Sequence, residues 1–206
     1  MRLYIVRHGE TQWNTEGRLQ GQADIPLNEK GRAIARATAM GMKEIHFDAA
    51  FTSPLIRARE TAQIILGDRK ISLEQDERIQ EISFGEMEGC HVRGEDGQVV
   101  VPRFQDFFEN PGAYMPPKGG ESIQELCRRT GDFLEELKNR QELQGRTILA
   151  ATHGAASRAM LLHITRRPVA EFWGSGVPKN CSVSIAELEQ GEWILKKQDV
   201  CYYENF

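Results

Sequence analysis

The chain has 206 residues, of which 40% are hydrophobic and 27% are charged, a composition typical of a globular protein with one domain. Its 26 Lys and Arg residues against 30 Asp and Glu give a formal net charge of −4 without a basic or acidic tail, so we expect no nucleic-acid partner. No apolar run approaches the roughly 20 residues that a membrane-spanning helix requires, so we expect no membrane association either.

The cysteines are widely separated and form no C-x-x-C pair, a spacing typical of reduced thiols rather than of a disulfide framework. The first residues enter an apolar, strand-like run without the features of a signal peptide. We therefore expect a cytoplasmic protein. The four cysteines are Cys90, Cys127, Cys181 and Cys201.

The first predicted elements are a strand, a long loop and a helix. Leu3–Val6 is a short β-rich run typical of a buried strand, and polar residues punctuated by glycine predict a loop from there to Pro26. Asn28 can cap a helix that runs to about Met42. The predicted apolar face of that helix carries Ile34, Ala37 and Met40 or Gly41.

The rest of the chain continues the alternation of strands and helices. The segment 85–120 is the least regular, because it is rich in glycine and proline and contains one short amphipathic helix around Phe104, Phe107 and Phe108. The other predicted elements are a strand over Ala49–Thr52, a helix from Leu55 to Leu66, a weak strand over Ile71–Leu73, a helix capped by Ser122 and running to about Arg140, a strand over Thr147–Ala151, a helix from Ala155 to about Ile164, and a terminal hairpin of Val183–Leu188 with Trp193–Lys197.

Strands that alternate with helices predict an α/β fold, a three-layer sandwich with a mostly parallel central sheet and helices on both faces. No repeat, linker or low-complexity tract divides the sequence. We therefore expect residues 1–206 to form a single domain, with the irregular excursion of about 85–120 near one end of the sheet.

Arginine and histidine side chains follow three of the predicted strands. Arg7 and His8 follow the first strand, Arg57 begins the helix after the second, and His153 follows the strongest strand at a helix N-terminus. In open α/β sheets ligands bind beyond the carboxyl ends of the strands, so the topology brings two arginines and two histidines to one edge. Helix N-termini and glycine backbone add N–H donors there. This arrangement predicts an anion-binding site.

Motifs for several other chemistries are missing from the sequence. It contains no G-x-x-x-x-G-K-[ST] phosphate loop, no H-E-x-x-H metal motif and no G-x-S-x-G elbow for an acyl-transfer serine. We therefore expect neither a metal ion nor another cofactor.

A series of motifs closely resembles the signature of the histidine phosphatase superfamily, the phosphoglycerate mutase-like family. The series begins with the run R-H-G-E-T-Q-W-N, spans nearly the whole chain and keeps the family's order. One departure is Met87, where relatives often have Trp or another aromatic residue. The matching segments are 7–14, 17–21, 26–31, 52–58, 81–89, 119–122 and 152–154.

The resemblance implies a phosphoglycerate mutase-like fold and assigns a role to each matching position. His8 would be the nucleophile that forms a phosphohistidine, and Glu81 would give a proton to the leaving oxygen. Arg7, Arg57 and His153 would complete the catalytic set by binding the phosphoryl oxygens. The implied substrate-binding residues are Arg7, Asn14, Gln20, Gly21, Arg57, His153 and Gly154.

Three functions remain compatible with these motifs. A metal-independent phosphomonoester hydrolase is favoured, because a mutase needs a second cationic cluster and residues 90–120 offer only the isolated Arg93, Arg103 and Lys118. The alternative is a cofactor-dependent phosphoglycerate mutase. A non-catalytic phosphate-binding module is disfavoured, since both His8 and Glu81 are present.

The substrate is expected to be a small phosphomonoester, and the oligomeric state is left open. Sugar phosphates, α-ribazole phosphate, phosphoglycerates and phosphoserine all remain candidates. Apolar residues of the excursion either form a lid over a partly hydrophobic substrate or simply pack the excursion onto the domain. These residues are Phe104, Phe107, Phe108, Tyr114 and Met115.

Overall fold

The computed structural model describes residues 1–92 and 103–204, so Arg93 and the side chain of Arg103 lie outside the described part. The strands are β1 Arg2–Arg7, β2 Ala49–Thr52, β3 Leu73–Gln75, β4 Thr147–Thr152, β5 Val183–Glu189 and β6 Glu192–Val200. The helices are α1 Gln12–Thr15, α2 Glu29–Gly41, α3 Ile56–Leu66, α4 Arg103–Glu109, α5 Ile123–Asn139 and α6 Gly154–Thr165. Short 3₁₀ turns cover Glu77–Ile79, Gly85–Met87, Pro111–Ala113, Gln141–Leu143 and Val169–Glu171.

The six strands form one sheet in the order β3-β2-β4-β1-β5-β6. The four strands from β3 to β1 are parallel, whereas β5 and β6 add an antiparallel hairpin at one side. This confirms the predicted α/β class with a mostly parallel sheet. Within the described residues, no helix combines the length and the apolar character that crossing a membrane would require.

Alternating side chains of β1 enter the cores on opposite faces of the sheet. Leu3 and Ile5 pack with Phe133 of α5 and Met160 of α6. Tyr4 and Val6 join a separate core that includes residues of α3. Successive residues of a strand point to opposite faces, so apolar residues at consecutive positions require cover on both. Helices supply that cover on each side.

The two central strands, β1 and β4, determine where the candidate site lies. β1 and β4 are parallel neighbours whose register pairs Arg7 with Thr152. The backbone N–H of His8 then donates to the carbonyl of Thr152 at 2.9 Å. His8 and His153 consequently leave the sheet side by side at its carboxyl edge, although one lies near the start of the chain and the other in its last third.

The structure departs from the sequence-based elements in two short segments. The predicted loop before Pro26 contains the one-turn helix α1, whose capping box joins Thr11 and Asn14. The third strand occupies Leu73–Gln75 rather than Ile71–Leu73. Its position is set by pairing with β2, because Leu73 lies opposite Ala50 and carries the strand into register with the sheet.

The predicted apolar face of α2 is only partly correct, because Ile34 is buried as predicted but Ala37 is half-buried and both Met40 and Gly41 are exposed. Its buried residues are Gly31, Ile34, Ala35 and Thr38, whereas Met40 is 67% exposed. The helix approaches the backbone of Glu10 at Gly31, where a Cβ atom would lie only 2.1 Å from the carbonyl oxygen. The helix therefore makes this close contact through a glycine, and a prediction based on apolar side chains does not detect such a contact.

Candidate active site

His8 lies directly beyond β1, only 2% exposed. Its Nδ1 is 2.7 Å from the carbonyl oxygen of Gly9. A carbonyl oxygen can only accept a hydrogen bond, so Nδ1 carries the proton and the lone pair of the neutral ring is on Nε2. Burial, reinforced by the positive charges of Arg57 and Arg7, lowers the pKa of His8 well below 6.5. The imidazole is therefore neutral, as a nucleophile must be.

His153 faces His8 with 5.1 Å between the ring centroids. Its Nε2 is 2.7 Å from the hydroxyl oxygen of Ser53, which also accepts the N–H of Leu55. The Ser53 hydroxyl can therefore donate to Nε2, which leaves the proton of the neutral ring on Nδ1. Burial and the charge of Arg57 lower the pKa of His153 well below 6.5.

Arg57 is fully buried in the first turn of α3. Its Nη1 and Nη2 donate to the carbonyl oxygens of Ala23 and Gly21, each at 2.7 Å. Burial lowers the pKa of Arg57 to about 10, so the guanidinium stays charged at neutral pH. Arg7 is held in a similar way, since its Nη1 donates to the carbonyl oxygen of Pro178.

Three buried nitrogen atoms of this group have no hydrogen-bond partner among the described residues. They are Nε of Arg7, Nε of Arg57 and Nδ1 of His153. A buried donor without a partner is costly, by about 1–3 kcal/mol each, unless a ligand supplies an acceptor. Donors from three separate elements near a neutral histidine are chemically suited to bind a tetrahedral oxyanion.

Glu81 reaches the same cavity from the segment after β3. Its Oε1 accepts the N–H of Ile82 and of Ala156, each at 3.0 Å, and its Oε2 accepts the N–H of Ala155 at 3.2 Å. The first turn of α6 thus fixes the carboxyl group beside the cavity. A Cβ atom at Gly154 would lie 3.6 Å from Oε2 of Glu81 and 3.7 Å from Nε of Arg7, so the glycine keeps the space between them open.

Arg129 of α5 holds the backbone that carries Glu81. Its Nη1 donates to the carbonyl oxygens of Arg78 and Gln80, and its Nη2 donates to that of Glu81 at 2.9 Å. An ion pair with Glu121, at 2.6 Å, fixes the guanidinium itself. No motif marks Arg129, and sequence reasoning missed it.

The amides of Asn14 and Gln20 line the cavity and are oriented by Thr11. The N–H of Thr11 donates to Oδ1 of Asn14 at 3.1 Å, and its hydroxyl donates to Oε1 of Gln20 at 2.9 Å. Both amide oxygens are thereby occupied, which leaves the NH₂ groups as donors. Thr11 itself was missed, although a threonine three residues before Asn14 is a recognisable capping pattern.

Gly21 also lines the cavity, with a left-handed φ of +52°. A Cβ atom there would lie 2.2 Å from Oε1 of Glu88, so a side chain would displace that carboxylate. All nine predicted site residues therefore lie together: eight line one cavity, and the ring of His153 contacts that of His8, which is one of the eight.

The remaining lining is largely apolar. Phe107 and Phe108 border the cavity, whereas Phe104 and Tyr114 are buried in the core behind it and Met115 is 74% exposed. Of the residues predicted either to form a lid or to pack the excursion, some therefore line the cavity and others pack in the core. Sequence reasoning missed the apolar lining residues outside the excursion and at its start: Leu19, Phe84, Val92, Trp173 and Val177.

The described residues contain no group of three or more His, Cys, Asp or Glu side chains that could hold a metal ion. Of the basic residues considered for a second anion site, Lys118 is exposed and does not line the cavity. Arg18 does line it, but its Nε pairs with Glu16 at 2.6 Å.

Two buried neutral histidines predict a loss of stability in mild acid. The unfolded chain binds protons near pH 6.5 while folded His8 and His153 do not, so the free energy of unfolding should fall as the pH drops from 6.5 to 5.5. Each histidine contributes a slope approaching about 1.4 kcal/mol per pH unit. Urea unfolding in phosphate-free buffer measures this slope. We expect His8→Asn to reduce it by up to half, and an unchanged slope would contradict the account. His46→Asn, at an exposed loop histidine, is the control.

Comparison with known proteins places these observations in a family. The family described as "Histidine phosphatase superfamily (branch 1)" matches residues 3–200. "Phosphoserine phosphatase 1" of Hydrogenobacter thermophilus is 31% identical over 208 residues, covering 100% of this chain and 96% of the relative. "Metal-independent phosphoserine phosphatase" of Arabidopsis thaliana is 33% identical and covers 94% of this chain and 79% of the relative.

A relative with a different name is equally similar. "Probable phosphoglycerate mutase GpmB" of Shigella boydii is 33% identical, covering 94% of this chain and 88% of the relative. Among solved structures, "Bacillus stearothermophilus YhfR" superposes with a TM-score of 0.89 at 33% identity, covering 98% of this chain and 99% of that one.

Proposed function

Because this chain belongs to the histidine phosphatase superfamily, we propose that it hydrolyses small phosphomonoesters through a phosphohistidine formed at His8. The observation that carries the proposal is the set of buried donors around a neutral histidine that have no partner in the described part of the chain. The donors belong to Arg7, Arg57 and His153, and a phosphoryl group supplies the acceptor oxygens that they lack.

In the first step, Nε2 of His8 attacks phosphorus while the bond from phosphorus to the ester oxygen breaks. The N–H at Nδ1 continues to donate its hydrogen bond to the carbonyl oxygen of Gly9, which fixes the ring and stabilises the positive charge that the imidazole develops. Glu81 gives its proton to the departing alcohol oxygen, so that an alkoxide is not released.

In the second step, water attacks the phosphohistidine. Glu81, now a carboxylate, accepts the water proton, and the bond between phosphorus and Nε2 breaks to regenerate neutral His8. Inorganic phosphate is the product. Throughout both steps, Arg7, Arg57 and His153 face the negative charge on the phosphoryl oxygens, while Asn14 and Gln20 add neutral donors. We propose that this charge stabilisation makes a metal ion unnecessary.

Mutase activity is the weaker alternative. A mutase has to bind its substrate's carboxylate and a second phosphate as well as the transferred phosphoryl group, which requires further cations opposite Arg7 and Arg57. Among the described lining residues, the only further cation is Arg18, which is already paired with Glu16. We propose that phosphoserine, which two relatives' names mention, and phosphoglycerate, which a third relative's name mentions, are among the small monoesters to be assayed as substrates of a hydrolase.

The test is an assay that follows both outcomes in one reaction. We expect release of inorganic phosphate from several monoesters in the presence of EDTA, with isomerisation of 3-phosphoglycerate at most a small fraction of that rate. The 3-phosphoglycerate reaction contains a trace of 2,3-bisphosphoglycerate and is analysed for isomer and phosphate together. Isomerisation much faster than phosphate release would overturn the hydrolase proposal. A loss of activity in EDTA that a divalent ion restores would overturn metal independence.

Glu81→Ala should affect substrates according to their leaving groups. We expect kcat/KM for an alkyl phosphate to fall about 10²-fold or more, because an alkoxide needs a proton, and that for p-nitrophenyl phosphate to fall less than about tenfold. Steady-state kinetics with both substrates measures the difference. Equal losses would show that Glu81 is structural. Glu86→Ala, at an exposed carboxylate nearby, is the matched control.

Two properties of the whole chain remain proposals. We propose that residues 1–206 form one domain, since all described strands belong to one sheet. We also propose a cytoplasmic location, which the four cysteines without disulfides support.

A further inference from the structure

The geometry points to a substrate whose alcohol part is an apolar, planar group such as an aromatic ring. This inference rests on the proposed phosphomonoester hydrolysis and specifies the class of leaving group. It comes from the apolar residues that line the same cavity as Arg7, Arg57 and Glu81. These include Leu19, Phe84, Phe107, Phe108, Trp173 and Val177.

The aromatic side of this cavity is a fixed surface. Trp173 and Phe108 are stacked, with 5.5 Å between ring centroids and an angle of 27° between their planes. The ring of Phe107 is nearly perpendicular to those of Trp173 and Phe84, with ring centroids 5.2 Å and 5.3 Å away. Contacts of this kind hold rings in set orientations. The four rings of Phe84, Phe107, Phe108 and Trp173, here called the wall, are therefore preformed for a flat ligand.

A hydrogen bond between separate elements also fixes the wall. Nε1 of Trp173 donates to the carbonyl oxygen of Phe107 at 2.6 Å, which ties the segment after the Val169–Glu171 turn to α4. The single polar atom of the indole is thereby satisfied within the protein. Trp173 therefore presents only apolar ring surface to a ligand.

Each charged side chain of the described cavity lining has a partner or a proposed role. In the proposed reaction Arg7 and Arg57 bind the phosphoryl group and Glu81 acts at the leaving oxygen, while Arg18 has its Nε on Glu16 and its Nη1 on the carbonyl oxygen of Gly89. The described lining thus supplies no further free carboxylate for an ammonium group. The polar groups of a serine or a sugar would give up hydrogen bonds to water against the apolar wall and gain few in return.

An aromatic group avoids that loss and gains by removing its own surface from water. The structure therefore favours an apolar monoester over phosphoserine or 3-phosphoglycerate, even though phosphoserine appears in the names of two relatives.

The test compares substrates with similar alkoxide leaving groups, so that only the apolar part differs. We expect kcat/KM for 2-phenylethyl phosphate to exceed that for ethyl phosphate and for phosphoserine by about tenfold or more, the range in which apolar pockets discriminate. Equal values, or a preference for phosphoserine, would overturn this inference and leave hydrolysis intact. Failure to hydrolyse any of these esters and p-nitrophenyl phosphate would instead overturn the proposed function.

Variants of the wall test its role directly. Trp173→Ala and, independently, Phe108→Ala should lower the ratio of kcat/KM for 2-phenylethyl phosphate to that for ethyl phosphate by about fivefold or more. Because the readout is a ratio, a partial loss of folded enzyme does not change it. Met115→Ala, at an exposed apolar residue away from the cavity, is the control and should keep the wild-type ratio. A ratio that stays unchanged in both wall variants would contradict the assignment.

Discussion

Replacing His8 by alanine should lower kcat/KM for every phosphomonoester by a factor of about 10⁴ or more, because the variant lacks the nucleophile. His8, which its hydrogen bond to Gly9 holds in one tautomer, is the only histidine among the described residues that line the cavity. No other histidine of that lining can therefore replace it. Steady-state assays with p-nitrophenyl phosphate measure the loss. His46→Ala, at an exposed histidine, should retain wild-type activity.

The same variant tests the intermediate. Rapid quenching of the wild-type enzyme with labelled substrate should trap a phosphoenzyme that is stable in base and labile in acid, and His8→Ala should trap none. A label recovered on serine, or wild-type turnover without any phosphoenzyme, would contradict the phosphohistidine. The site's geometry would then have to be explained as a binding site for phosphate alone.

Arg57→Lys should lower kcat/KM by about 10²–10³-fold, although the substitution keeps the positive charge. Arg57 uses Nη1 and Nη2 to hold the carbonyls of Ala23 and Gly21 and leaves Nε for the phosphoryl group. One ammonium group cannot make both sets of contacts. The substitution therefore removes a phosphoryl donor and loosens the loop that carries Gly21.

The control for this prediction is on the same helix. Arg59→Lys changes a half-buried arginine that does not line the cavity, and we expect it to have little effect on kcat/KM. Calorimetric titration with inorganic phosphate provides an independent measurement, since Arg57→Lys should weaken phosphate binding as well. Wild-type phosphate affinity and kcat/KM in Arg57→Lys would show that charge alone suffices at this position.

Much of the candidate site could be predicted because its residues adjoin strand ends. Arg7, His8 and His153 lie within two residues of β1 or β4, and a parallel sheet brings such positions together wherever they fall in the chain. The strands themselves are short apolar runs that are buried on both faces, which makes them easy to recognise. The chemistry follows from the residue types at those ends.

The parts that escaped prediction act through other residues or belong to irregular segments. Arg129 lies on the polar side of an ordinary amphipathic helix, and its role depends on three carbonyls of a distant turn. Trp173 follows a 3₁₀ turn, and only its packing on Phe107 and Phe108 brings it to the cavity. Neither position has a periodicity or a motif that indicates its partner. Residues of this kind are therefore harder to predict from the sequence than residues at strand ends.

The pairing of β1 with β4 also determines when during folding the enzyme can first act. This pair joins the beginning of the chain to its last third, and closing so long a loop is slow compared with forming a helix such as α5, whose capping box lies within its own first turn. His8 and His153 become neighbours only when that closure is complete. Recovered turnover in a refolding chain thus reports the central strand pair, whereas recovered helical content reports the fast local steps that do not require it.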